Sequence, residues 1–278
     1  MSEETRIVDH GVFTLECGTV PLVLSLPHVG TAIPDDLASL FVPRALALED
    51  TDWHLAEVYA FARELGASIL VPELSRYVVD LNRPPENTPM YPGANNTELV
   101  PTRFFSGEAL YRDGRVPDGR EIERRVRTYW RPYHDALAAE IARVRASHGH
   151  VVVWDGHSIQ AELPWLFPGR LPDLNLGTAS GASCAAELRD ALVRVLGAQS
   201  AFSHVTDGRF KGGYITRRYG EPGAGVHAIQ LEMALCAYMD ERRAALPVAP
   251  PDSDKLARLQ PLLRALLQTT LDWHPHGA

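Results

Sequence analysis

At 278 residues and 30.7 kDa, with 45% hydrophobic and 22% charged residues, the chain has the make-up of an ordinary globular protein with material for one large core. A formal net charge of -8 and the lack of any basic run argue against nucleic acid or an anionic membrane as a partner. The scattered cysteines Cys17, Cys184 and Cys236 make neither a disulfide scaffold nor a thiolate metal site, and no run of about 18 apolar residues is available to span a membrane.

The first ten residues carry acid where a secretion signal needs a basic start and an apolar stretch, so the cytoplasm is the expected location. Residues 20–26 read as a buried strand that breaks at Pro27-His28-Val29-Gly30. In 52–65, Leu55, Val58, Tyr59, Ala62 and Leu65 fall at helical spacing, with Gly66 as a stop. Residues 67–71 and 77–81 predict two further strands. The stretch 84–119 is crowded with Pro, Gly and Asn and has no period; so long a structureless segment suggests a wall or lid over a site.

Residues 121–148 predict a long helix that Pro132 kinks or divides. A strand follows at 151–154, a helix at 184–196, a strand at 226–231 and a closing helix at 255–271. Strands alternating with helices predict an α/β sheet covered on both faces, in a single domain over 1–278.

An open α/β sheet binds its ligands beyond the carboxyl ends of its strands. His28 and His157 both follow apolar runs there, and imidazole is the commonest protein ligand for zinc. A catalytic zinc needs a third protein ligand and an open position. Asp50, Asp52 and His54 are the candidates, although Asp52 would serve equally as a helix N-cap. Asp155 shares a strand face with His157 and is placed to orient its ring.

Arg83, after a buried run and beside Asn82, suits a bidentate grip on a carboxylate; the alternative is an exposed ion pair of small worth. Glu232 closes the run 226–231 and is the candidate general base, with His227 and Gln230 as alternatives. The glycine-rich stretch 208–217 offers Arg209, Lys211 or Arg217 as a second anion contact. Neither a phosphate-binding GxxxxGK[ST] loop nor a GxSxG elbow occurs.

Taken together the motifs resemble the N-formylglutamate amidohydrolase family. They are Pro-His-Val-Gly at 27–30, Thr-Asp-Trp-His at 51–54, Ser-Arg-Tyr-Val-Val-Asp-Leu-Asn-Arg-Pro-Pro at 75–85 and Tyr-Pro-Gly at 91–93. Further along stand Tyr-Trp-Arg-Pro-Tyr-His at 129–134, Trp-Asp-Gly-His-Ser-Ile at 154–159, Leu-Pro-Asp-Leu-Asn-Leu-Gly-Thr at 171–178, Gly-Arg-Phe-Lys-Gly-Gly-Tyr-Ile-Thr-Arg at 208–217 and Val-His-Ala-Ile-Gln-Leu-Glu at 226–232.

The resemblance implies a zinc-carboxypeptidase-like (phosphorylase/hydrolase-like) mixed sheet flanked by helices. It implies zinc on His28, Asp52 and His157, a substrate carboxylate on Asn82 and Arg83, and Glu232 as general base. A second carboxylate should then meet Arg217 or Lys211, because a buried unpaired charge is costly. Two departures stand out: Val29 replaces the Ser of many members, and Thr31 occupies the place of Glu in the zinc carboxypeptidase His-x-x-Glu. The middle ligand therefore stays open between Asp52, His54 and Asp50.

The implied reaction is hydrolysis of N-formyl-L-glutamate in histidine degradation, on a small N-acyl amino acid and with no nucleic-acid or membrane partner. Other divalent metals suit the same ligands. The rival readings are an amidohydrolase for another N-acyl amino acid and a non-catalytic dicarboxylate-binding protein; a homo-oligomer is left open.

Overall fold

The computed structural model describes residues 6–90, 95–241 and 248–275, so the Tyr-Pro-Gly run at 91–93 lies outside the described residues. Eight strands form one mixed sheet: β1 (Ile7–Asp9), β2 (Phe13–Glu16), β3 (Leu22–Ser25), β4 (Ser68–Pro72), β5 (Val151–Ile159), β6 (Leu174–Gly177), β7 (His204–Thr206) and β8 (Val226–Ala234), in the order β1-β2-β4-β3-β5-β8-β6-β7. The four central strands β4, β3, β5 and β8 run parallel, while β2 and β6 pair antiparallel on their flanks. Among the described residues the α-helices are α1 (Asp35–Ala38), α2 (Leu55–Val58), α3 (Gly119–Arg125), α4 (Arg131–His148), α5 (Ala186–Gly197), α6 (Tyr214–Tyr219) and α7 (Ser253–Asp272).

The centre of the sheet is buried on both faces, so its strands read as unbroken apolar runs. Successive side chains nonetheless go to opposite layers. Leu22, Leu24, Val152, Trp154, Ile229 and Leu231 pack with α5 and α7 through Leu188, Leu192, Leu259 and Leu263. Val23, Val151, Val153 and Ala228 pack the other way, with Tyr133, Leu137 and Ile141 of α4. Each such leucine or valine stabilises the fold by about 1.5–3 kcal/mol when fully buried. The expected mixed sheet flanked by helices is thus what forms.

Three local expectations are revised, and the division of the helix over 121–148 near Pro132 is observed. Residues 52–65 form only α2 and a 3-10 turn, Ala60–Arg63, because His54 enters at φ 60° and the chain before it bends so that the Asp52 amide reaches His28 O at 3.1 Å. Residues 77–81 form a turn and not a strand: Val78 N donates to Ser75 O and Asp80 N to Leu99 O. Tyr77 and Val78 enter one apolar cluster and Val79 and Leu81 another, which produces strand-like burial with no partner strand.

The helix over 121–148 is interrupted by a π-helical turn at Val126–Trp130, just before Pro132. A widened turn accommodates a proline that has no N–H to give and crowds the preceding carbonyl. Finally, β5 and β8 extend further than the apolar runs suggested, so His157 and Glu232 lie inside strands and face each other in register.

Candidate metal centre

Three buried side chains meet above the carboxyl ends of the central strands. His28 follows β3, His157 lies in β5, and Asp52 is brought by the loop before α2. Their ligand atoms all lie within 4.8 Å of one another. Nδ1 of His157 is 3.1 Å from Nδ1 of His28 and 3.3 Å from Oδ2 of Asp52.

The opposite ring nitrogens are tied down. His28 Nε2 is 2.7 Å from Asp80 Oδ1, and His157 Nε2 is 2.9 Å from Asp155 Oδ1. Donation of each Nε2–H to a carboxylate leaves both Nδ1 lone pairs facing Asp52, the tautomer a metal site requires. Asp52 Oδ2 accepts from Ser158 N at 3.1 Å, while Oδ1 is buried with no hydrogen-bond partner among the described residues. A buried carboxylate that keeps one oxygen free of hydrogen bonds and sets the other 3.3 and 3.8 Å from two converging imidazole nitrogens fits a divalent cation; this group could hold a metal ion.

The sequence candidates separate clearly here. Asp50 turns away, accepting from Tyr77 Oη at 2.9 Å and Phe105 N at 3.1 Å, and burial pushes its carboxyl up to about 6. His54 faces Ala249 O at 2.9 Å. His227 sits at the far end of β8, against Trp273, with its Nδ1 accepting from Ala185 N.

A cleft opens over the cluster. Its charged lining consists of Glu232, Arg76, Arg83 and Arg209, with the two histidines beside them. The Arg76 charge is met by the Asp80 carboxylate, and Arg83 and Arg209, bonded to the Thr97 and Leu166 carbonyls, are the other cations of the cleft wall. Phe105, Ile159, Leu166 and Phe210 supply apolar wall, and Asn95, Asn96 and Thr97 come from the long irregular stretch, which is a wall of the site as expected.

Glu232 is buried beside His157, and burial pushes its carboxyl above the usual carboxylate range; the His157 charge opposes the shift and the Asp52 charge adds to it, and a cation held by the neighbouring cluster would favour the ionised form. Burial lowers the proton affinity of both histidines. In His28 the Arg76 charge adds to this and its pKa is held below the ordinary value; in His157 the Asp155 and Asp52 carboxylates outweigh it and the pKa is raised.

Asn82 is immobilised: Nδ2 reaches Asp155 Oδ2 at 3.2 Å, and Oδ1 accepts from Ile215 N at 2.8 Å. Arg83 gives Nε and one terminal nitrogen to Thr97 and the other terminal nitrogen to Asn82 O. A guanidinium has five N–H groups, so two are left for a ligand. Arg217 is not brought to the cleft; it is exposed on α6, with Nε on Gly212 O at 2.9 Å, and Lys211 is exposed too. Arg209, the other arginine offered by the stretch 208–217, lines the cleft, bonded to Leu166 O at 3.2 Å and lying over the Phe210 ring.

Sequence reasoning gave no role to Arg76 or Asp80. Arg76 is buried, bonds Asp80 Oδ2 at 2.6 Å and stands 3.8 Å from Asp52 Oδ1. Their only signal was an acid and a base four apart in an otherwise apolar run, 76–80.

The family model for N-formylglutamate amidohydrolase matches residues 20–239. An N-formylglutamate deformylase of Pseudomonas aeruginosa is 47% identical, over 94% of this chain and 97% of its own length, and one of Pseudomonas putida is 44% identical over 94% and 96%. The crystal structure of an N-formylglutamate amidohydrolase from Ralstonia eutropha superposes with a TM-score of 0.74 at 26% identity, covering 94% of this chain and 96% of that one. The chain therefore belongs to the N-formylglutamate amidohydrolase family.

Proposed function

We propose that this chain hydrolyses N-formyl-L-glutamate to formate and L-glutamate, with zinc held by His28, Asp52 and His157. The observation that carries the reading is the convergence of three ligand atoms and a buried glutamate in a cleft lined by three guanidiniums. The names of the curated relatives point to the same substrate.

His28, Asp52 and His157 would hold a divalent cation, which when bound would supply Lewis acidity toward the formyl carbonyl and toward water near neutral pH. The Glu232 carboxylate accepts a proton from the attacking water as the new C–O bond forms. It then delivers that proton to the amide nitrogen as the C–N bond breaks, which releases formate and the free amine of glutamate. Arg83 holds one substrate carboxylate with its two remaining N–H groups, and Asn82 Nδ2 donates to Asp155, the carboxylate that holds His157. Arg209 meets the second carboxylate. We place the reaction in histidine degradation, in the cytoplasm, carried out by the chain as one catalytic domain, as the family resemblance implies.

The test is formate release from N-formyl-L-glutamate by purified protein, before and after chelation and zinc repletion, with N-acetyl-L-glutamate and N-formyl-L-glutamine alongside. Turnover that is lost on chelation, restored by zinc and strongest on the first compound is the expected result. Zinc-dependent turnover that prefers another compound overturns the substrate, and turnover indifferent to chelation overturns the metal.

A further inference from the structure

Trp130 and His134 do not line the cleft, yet both reach the turn that does. Trp130 Nε1 donates to Arg83 O at 3.0 Å, and His134 Nε2 is 2.8 Å from Leu81 O. The carbonyl between them, Asn82 O, accepts from Tyr214 N at 3.3 Å and from Arg83 itself at 2.9 Å. Three consecutive carbonyls, at 81, 82 and 83, are thereby pinned from outside the cleft.

The two rings form one unit. They stand four residues apart, a spacing that shares a helix face, and stack with centroids 3.8 Å apart at 27°. His134 Nδ1 is 2.9 Å from Tyr219 Oη, and burial pushes the ring down to about 3, so it is neutral and donates from Nε2 only. The π-helical turn Val126–Trp130 ends at the first of these rings; such turns recur at functional sites because they reset the phase of a helix.

We propose that Trp130 and His134 are positioning residues: they clamp the turn 81–83, so that Asn82 stays on Asp155, the carboxylate that holds His157, and the Arg83 guanidinium stays aimed into the cleft. The kinetic part of this inference rests on the substrate role given to Arg83 above; the conformational part does not. Trp130 acts through Arg83 and therefore on carboxylate binding. His134 acts through Asn82 and therefore on the imidazole of His157.

Two measurements test the clamp. Trp130→Phe keeps the stacking ring and removes the N–H; it should raise KM for N-formyl-L-glutamate about tenfold with kcat changed less than about threefold. The same substitution in an Arg83→Ala background should add no further rise, because coupled residues are not additive; an additive rise overturns the coupling. For His134, Leu should lower kcat and Gln, which still donates to Leu81 O, should restore most of it.

Hydrogen exchange reads the turn without substrate. Trp130→Phe and His134→Leu should speed exchange at 81–83 while 137–144 of α4 stays protected, and unchanged exchange at 81–83 overturns the clamp. Should Arg83→Ala leave KM unaltered, the substrate role of Arg83 fails, and the exchange result still decides the clamp on its own.

Discussion

Asp80 and Asp155 each hold the Nε2 side of one histidine and so decide which nitrogen faces Asp52. Removing such a partner usually weakens metal binding about 10–100-fold. Asp80→Asn should show that loss in competition with a chelating dye; unaltered affinity would mean the His28 ring is held by packing alone. Glu232→Gln should retain the cation and lose about 100–10,000-fold in kcat, the usual worth of a positioned acid–base group. Full turnover in that variant would transfer the proton to another residue. Arg209→Gln should raise KM for N-formyl-L-glutamate much more than for N-formyl-L-glutamine, whereas Arg217→Gln, altering an exposed group outside the cleft, should change neither. Equal effects of Arg209→Gln on both substrates would take the second carboxylate away from it.

At the scale of elements, the site depends on how closely α6 approaches the turn 81–83. Gly213 stands directly before α6 with Gln230 Oε1 on its amide at 2.7 Å, and a Cβ added there would collide with the Asn82 side-chain amide. Gly213→Ala should therefore displace Asn82 and lower kcat/KM at least about tenfold, while circular dichroism remains native; wild-type kinetics would show that the amide can yield. The parallel pairing of β5 with β8 has a similar consequence, since its register is what sets Glu232 beside His157. The apolar runs at 151–154 and 226–231 announced both strands. They did not show that the strands continue under the site, because Asp155, His157 and Glu232 are buried polar residues that interrupt the hydrophobic pattern.

For the molecule as a whole, burial of neutral histidines ties stability to pH. His134 is held at about 3 in the fold against 6.5 when exposed. Above 6.5 neither state carries the proton. Between the two values the unfolded chain binds it and the folded chain does not, so stability falls as pH falls, by roughly 1.4 kcal/mol per pH unit. His227, held at about 4, contributes with the same sign. Urea unfolding at pH 7 and pH 5 should show a shallower acid loss for His134→Gln than for the parent chain; parallel losses would exclude His134 as a source.

The sequence by itself determined the alternation of strands and helices, the apolar centre of the sheet and the residue types at the strand ends, because burial on a sheet or helix leaves a local period. It also supplied His28, His157, Asn82, Arg83 and Glu232 as candidates. Only the tertiary structure decided between Asp52, Asp50 and His54, which stand within five residues of one another and face three different directions. It likewise brought Arg209 to the cleft and left Arg217 outside, and joined Asp80 to His28 across 52 residues. The physical reason is common to all three: the direction of a polar side chain on a loop is set by partners distant in the chain, and no local periodicity records them.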